Sequence, residues 1–368
     1  MVVARYFRTL LRALWLAAFV VAGNGSGALA QQEGPATAPN DPAALAYQLS
    51  KTARTEKQYA QIIELCHKAL AARPAEKQAA YARKLEAWSY NRRGELRADA
   101  GEDDLAQADF EAAVKLDKTN WRALHNRGVG YAARTKFAEA AADFDEVIRL
   151  HADFATVWFN RGELRSQNAD FNGAIDDYNQ ALKLQPNDPA ALVGRGYAWY
   201  QLGENEDALK DYDRALELDG QRATTFVFRA AALAEAGRYA AAADDYRSAI
   251  RLEPNSAAGY QAAAWLMATC PDEEFRDAKL AVKASRRAIE LRGHDEYRDQ
   301  ETLAAALAED GQFEAAVKAQ QRAIELAGND DTELTKMLAN RLKTYRARQP
   351  YRENRDTQQA ERSSRRQR

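Results

Sequence analysis

Cysteine, histidine and proline are all scarce in this chain of 368 residues. Two Cys are too few for a disulfide scaffold or a multi-cysteine zinc module. The four His (His67, His125, His151 and His294) are scattered and lack metal-ligand spacing, so no metal site is expected. Nine Pro and 19 Gly rule out a collagen-like or Pro-rich disordered chain. Long hydrophobic runs are missing too. The apolar stretch from Ala13 to Ala22 is about half of the roughly 20 residues that span a bilayer. An excess of one charge sign is absent overall, with a formal net charge of −2. That balance hides an uneven distribution. The first 30 residues hold three Arg and no acid, and residues 341–368 hold ten Lys and Arg against three acids. An acidic body therefore lies between two basic ends. What the chain has in quantity is Ala, about one residue in five, which favours closely packed helices.

The N-terminus reads as a targeting segment. Arg5, Arg8 and Arg12 precede the apolar run, and the small residues Gly23 to Gly27 lead to Ala28-Leu29-Ala30. This order predicts a secretory signal over residues 1–30, cut after Ala30, and a periplasmic or secreted mature protein. An uncleaved anchor and a mitochondrial presequence are the rivals. The first is too short, and the second calls for an amphipathic helix rather than a continuous apolar run. Residues 31–42, with Pro35, Pro39 and Pro42, read as a disordered linker.

An internal period of 34 residues organises the remainder. The strings NRGVGY, NRGELR and GRGYAW place Gly128, Gly162 and Gly196 at that spacing, and Gly94 falls one period earlier. With this Gly as the eighth residue, the units are 87–120, 121–154, 155–188, 189–222 and 223–256. Position 20 is then Ala106, Ala140, Ala174, Ala208 and Ala242. Position 24 is Phe110, Phe144, Tyr178, Tyr212 and Tyr246. Position 4 is Tyr90, Leu124, Trp158, Leu192 and Phe226, and position 32 is Pro186 and Pro254 in two units. Small residues at 8 and 20 let two antiparallel helices approach closely, while large ones at 4 and 24 fill the adjoining space.

This pattern resembles the tetratricopeptide-repeat family. The resemblance implies an all-α fold of helix-turn-helix repeats stacked into a right-handed superhelix. Weaker units extend the array to about eight: 43–76 before the five, then 257–295 with an insertion around ATCPDEEFRD, and 297–330. The ten residues Lys77 to Glu86 read as an extension of the following helix. A cap helix is expected over 331–348, with Leu334, Met337, Leu338, Leu342 and Tyr345 on one face. A basic disordered tail is expected over 349–368. The strings ATCPD and YRARQPYRE, the latter from Tyr345 to Glu353, resemble elements of some bacterial members of the family.

A second regularity runs through the five strong units. Arg93, Arg127, Arg161, Arg195 and Arg229 occupy position 7, and Asp109, Asp143, Asp177, Asp211 and Asp245 occupy position 23. One reading is a ladder of cations facing an acidic ligand. The plainer one, favoured by the matched numbers, is an Arg–Asp pair linking the two helices of each repeat.

Catalytic constellations are missing. The chain contains no H-E-x-x-H, G-x-S-x-G, P-loop or dinucleotide fingerprint, and its carboxylates recur on repeating surface positions. Cys270, followed by Pro271, suits a turn better than a nucleophile, since no acid-base partner accompanies it. A disulfide between Cys66 and Cys270 is not expected, because repeats contact only their neighbours. Neither an enzyme nor a cofactor is expected.

The resemblance implies that positions 2, 5, 9, 12 and 13 face a concave groove where peptides bind. Mapped onto this chain, the groove holds Trp88, Asn91 and Glu95, then Arg122, His125 and Val129, then Phe159, Glu163 and Gln167. Val193, Tyr197 and Tyr200 follow, and Val227, Gln261 and Trp265 complete it. The expected partner is a protein or peptide anchored by the aromatic centre. An anionic membrane surface is a possible contact for the basic tail, while export leaves no nucleic acid expected. The alternative is a structural array that self-associates or is tethered through that tail without a groove ligand.

Overall fold

The computed structural model describes residues 41–328 and 332–353, and among these all regular secondary structure is helical. Seventeen α-helices follow one another, the first sixteen in pairs. The described residues fall into two compact units, one of residues 41–168 with 183–185, the other of residues 169–182, 186–328 and 332–353. The expected signal, most of the linker and the tail beyond Glu353 lie outside the described residues.

In the first unit, α1 (Pro42–Ser50) and α2 (Glu56–Ala71) precede α3 (Glu76–Asp99) and α4 (Asp103–Leu116). Then come α5 (Trp121–Ala133), α6 (Phe137–Leu150) and α7 (Ala155–Gln167). Lys77 to Glu86 form the first turns of α3, which accordingly runs to 24 residues. Local chemistry sets the starts. Thr55 and Gln58 form a reciprocal capping box on α2, and the Asn120 side chain accepts from Ala123 N at the start of α5.

The second unit begins with α8 (Phe171–Leu184), α9 (Pro189–Leu202), α10 (Asn205–Leu218), α11 (Ala223–Glu235) and α12 (Tyr239–Leu252). Asp188 caps α9 with Pro189 at its first position. Next are α13 (Ala257–Thr269), a 3₁₀ turn (Glu273–Phe275), α14 (Ala278–Arg292), α15 (Tyr297–Glu309), α16 (Phe313–Ala327) and α17 (Thr332–Arg346). The insertion in the seventh repeat is therefore the Cys270–Asp277 hinge.

Each pair closes by the packing that the period implies. A methyl group built on Gly94, Gly128 or Gly196 would fall 2.6 to 2.9 Å from the ring of Phe110, Phe144 or Tyr212. The aromatic at position 24 thus lies against the bare backbone at position 8 of its own repeat. Gly194 meets Tyr178 at 2.7 Å in the same sense, so it answers the preceding repeat's aromatic rather than position-8 packing.

Between the helices of a pair, position 15 turns with positive φ. Gly101, Gly203, Gly237 and Gly311 take values of 74 to 83° there. Thr135 and Ala169 occupy the same place at 59° and 64°, where a Cβ is disfavoured.

Candidate functional site

The Arg–Asp regularity is an internal brace. Arg127 donates from Nε and Nη2 to the two carboxylate oxygens of Asp143 at 2.9 and 2.6 Å, and Arg93 grips Asp109 in the same way. The pairs Arg195–Asp211 and Arg229–Asp245 repeat that geometry. The remaining guanidinium nitrogen reaches back one repeat: Arg195 Nη1 to Asn179, Arg229 Nη1 to Asp213 and, in the first unit, Arg161 Nη1 to Asp145. One side chain thus ties its own repeat together and joins it to the one before. Burial pushes the Asp211 carboxyl above its ordinary value, against the pull of Arg195.

In the first unit, the groove positions form a hydrogen-bonded line of amides. Asn91 donates to Glu95 at 2.7 Å, and Asn126 donates to Asn91 at 3.0 Å. His125 Nδ1 lies 3.3 Å from Asn126 Oδ1, and Asn160 Nδ2 lies 2.8 Å from His125 Nε2. With Nε2 accepting from the Asn160 amide, Nδ1 carries the proton and the ring is neutral. The ring also packs against Phe144 and Phe154, and burial lowers its pKa to about 4. Asn126 and Asn160, at position 6, are the members of this line that the groove assignment missed. Their signal was present as Asn at the same position of consecutive repeats.

Of the groove residues in this unit, Asn91 and Glu163 are buried, while Trp88 and Phe159 are half-buried. Trp88 sets its ring edge-on to Tyr59 at 5.7 Å. Arg122 is exposed, its guanidinium 4.2 Å above the Trp121 ring. Partial burial lowers its pKa; Glu95 acts against this, and the like charge of Arg92 adds to it. Arg92 is itself paired with Glu95 at 2.5 Å, and no carboxylate among the described residues forms an ion pair with Arg122.

The second unit corrects the expected aromatic groove. Val193, Tyr197, Tyr200, Val227, Gln261 and Trp265 are all buried rather than presented to solvent. Tyr197 packs on Phe171 and Phe228, and Tyr200 donates to Glu235 across the next helix at 2.5 Å. These side chains fill the space between successive helix pairs, which is where a large residue is stabilised most.

Trp265 is covered by the chain's own C-terminus. Its indole Nε1 donates to Glu353 at 2.7 Å, and the Arg341 guanidinium lies against both the Trp265 and Tyr351 rings, at 4.8 and 4.4 Å. Arg341 also forms a buried ion pair with Glu301. Glu353 N donates to Thr269 O at 3.0 Å, and Arg352 pairs with Glu309, which also accepts from Arg276 of the hinge. The segment 349–353, expected to be disordered, is therefore a clasp on the ATCPDEEFRD hinge, and α17 buries Leu334, Leu338, Leu342 and Tyr345 beneath it.

Both cysteines are free and buried. Burial raises the Cys66 thiol to about 12 and lifts Cys270 as well, the opposite of what a nucleophilic thiolate requires. Among the described residues, no group of three or more His, Cys, Asp or Glu is placed to hold a metal ion. No helix among them is long and apolar enough to cross a membrane.

The helix pairs, the position 8 and 24 contact and the position 15 turn define a helical repeat protein of the 34-residue class. A tetratricopeptide-repeat family model matches residues 125–168, 159–223 and 206–257, and a second matches 89–120. Residues 89–120 and 125–257 are tetratricopeptide repeats. Its fold is similar to that of a tetratricopeptide repeat protein from Parabacteroides merdae, 20% identical, with a TM-score of 0.52 over 70% of this chain and 98% of that one. It is also similar to pilF of Pseudomonas aeruginosa, 16% identical, with a TM-score of 0.51 over 60% of this chain and 98% of that one. No curated protein matches the sequence.

Proposed function

We propose that the protein is a non-enzymatic scaffold that binds a peptide segment of a partner protein along the amide line of the first unit. One observation carries this reading: Arg122 is an exposed guanidinium, stacked on Trp121 and without an ion-pair partner among the described residues, at the edge of a row of side-chain amides. Such a cation is ready to receive a carboxylate, since an arriving anion would relieve the repulsion from Arg92. Asn126 and Glu95, held in place by the buried Asn91, supply donors and acceptors for a peptide backbone, and the half-buried Trp88 and Phe159 supply apolar contact. The ligand is therefore an extended peptide with an acidic residue placed one side chain away from an apolar one.

The charged n-region, short apolar run and Ala28-Leu29-Ala30 support export, so the partner belongs to a cell-envelope assembly. Fractionation of cells producing the full chain tests that part. Recovery of a mature protein beginning at Gln31 in the periplasm or medium supports it, and full-length protein in the cytoplasm counts against it. Binding itself is tested with an array of extended peptides, probed with wild-type protein and with Arg122→Gln. Loss of the acidic peptides from the variant's profile supports the groove, whereas an unchanged profile removes it.

A further inference from the structure

A second recognition surface lies in the second unit, apart from the clasp. Helices α12, α13 and α14 enclose an open cavity of about 850 Å³ whose floor includes Tyr246, Ile250, Tyr260, Leu266 and Met267, with Leu280 at its edge. Leu280 is 48% exposed, one of the few large apolar side chains the protein leaves in water. The opposite side of α13 holds Trp265 and Thr269, already covered by the clasp.

The rim carries one sign of charge. Arg247, Lys279, Lys283, Arg286 and Arg287 surround the cavity, against a single Glu290. Arg247 and Arg287 have partners on their own helices in Asp244 and Glu290. Lys279, Lys283 and Arg286 form no ion pair among the described residues. Helix α14 has five cations and one acid, while the equivalent helix α10 has five acids and two cations. A basic helix in an acidic array is a local reversal, not a consequence of overall composition. Lys279, Lys283, Arg286 and Arg287 follow one another at i, i+4, i+7 and i+8, a single stripe about 12 Å long. That length exceeds one head group and matches two turns of a helix with acids on one face.

We propose that this cavity docks an acidic amphipathic helix of a protein partner, its apolar side chains on the α12–α14 floor and its carboxylates along the α14 stripe. Residues 1–30 hold no acid and residues 354–368 hold five Arg against two acids, so neither segment complements the charge of the stripe. Apolar floor and cationic border divide the work as in other helix-in-groove recognition, the floor holding the helix and the charges fixing its direction.

The test uses the mature protein and a fluorescent 16-residue helical peptide with Leu at i, i+3, i+4 and i+7 and Glu at i, i+4 and i+8 of the adjacent face. Its Glu-to-Gln counterpart and phosphatidylglycerol vesicles are the comparison probes. The acidic peptide is expected to bind, and the double variant Lys283→Glu with Arg286→Glu, both exposed and compatible with the helix, weakens it by about tenfold or more. Leu280→Ser weakens it separately, and Arg122→Gln leaves it unchanged, which distinguishes this surface from the amide line. Equal binding of the Gln peptide, indifference to the charge reversal, or binding of the vesicles with none of the peptide overturns the proposal.

Discussion

Trp265 and Glu353, 88 residues apart, are joined by a 2.7 Å hydrogen bond from the indole to the carboxylate. This bond closes the last repeats with the chain's own C-terminal segment, where Arg341 lies against two aromatic rings. Removing the carboxylate with Glu353→Ala leaves a buried indole donor unpaired, at a cost of about 1–3 kcal/mol. Thermal melting gives the stability change, and the Trp fluorescence maximum shifts to the red as water reaches Trp265. Arg341→Ala is more severe, about 3–5 kcal/mol, because it strands Glu301 without its partner.

The Arg–Asp brace predicts strong coupling. Asp211 is buried and its carboxyl is already held above its ordinary value, so Arg195→Ala leaves an uncompensated charge and costs about 3–5 kcal/mol. Replacing both members with well-packed apolar residues recovers much of that loss. A double-mutant cycle in urea checks it, and additive single effects would mean that the pair is idle.

Close approach at position 8 is equally testable. Gly196→Ala puts a methyl 2.8 Å from the Tyr212 ring, so the ring or a helix must shift, at a cost of about 1–3 kcal/mol. At position 15 the direction reverses. Thr135→Gly relieves a left-handed residue and is expected to raise stability by about 0.5–1 kcal/mol, less than the conformational relief alone because Gly also loosens the unfolded chain. Melting temperatures of the two variants moving in opposite directions is the expected result.

His125 sets an acid-side limit. Its folded pKa of about 4 lies below the unfolded value near 6.5, so the unfolded chain takes up a proton first as pH falls. Stability contributed by the neutral ring is complete above about pH 6.5 and is lost between there and pH 4, up to roughly 3 kcal/mol. In His125→Gln that decline disappears from the pH profile of the urea midpoint, while the change below pH 4 due to carboxylates persists.

How much of this the sequence disclosed follows from how local each interaction is. The contacts of Gly196 with Tyr212 and of Arg195 with Asp211 lie within one repeat, 16 residues apart, and the period of 34 prints them many times over. The position 15 turns were equally periodic in Gly101, Gly203 and Gly237, though Thr135 and Ala169 interrupt the series. Depth within the stack was not legible. Tyr197 and Tyr200 occupy positions that face a groove in the family pattern, but Phe228 and Glu235 of the next repeat enclose them. Least legible was the clasp, since Tyr351, Arg352 and Glu353 sit in a polar segment without periodicity and, Arg341 apart, the partners named above lie more than 40 residues away. A two-string resemblance, ATCPD with YRARQPYRE, was the only signal, and the structure brings those two strings into contact.

The central claim is that Arg122 and the amide line receive an acidic peptide. The most direct measurement is calorimetric titration of an array-selected acidic peptide into wild-type protein and into Arg122→Gln, at low and at high salt. Loss of about 1.5–3 kcal/mol of binding in the variant, with weaker salt dependence than the wild type, is the predicted result. Equal affinity and equal salt dependence for the two proteins would contradict the account.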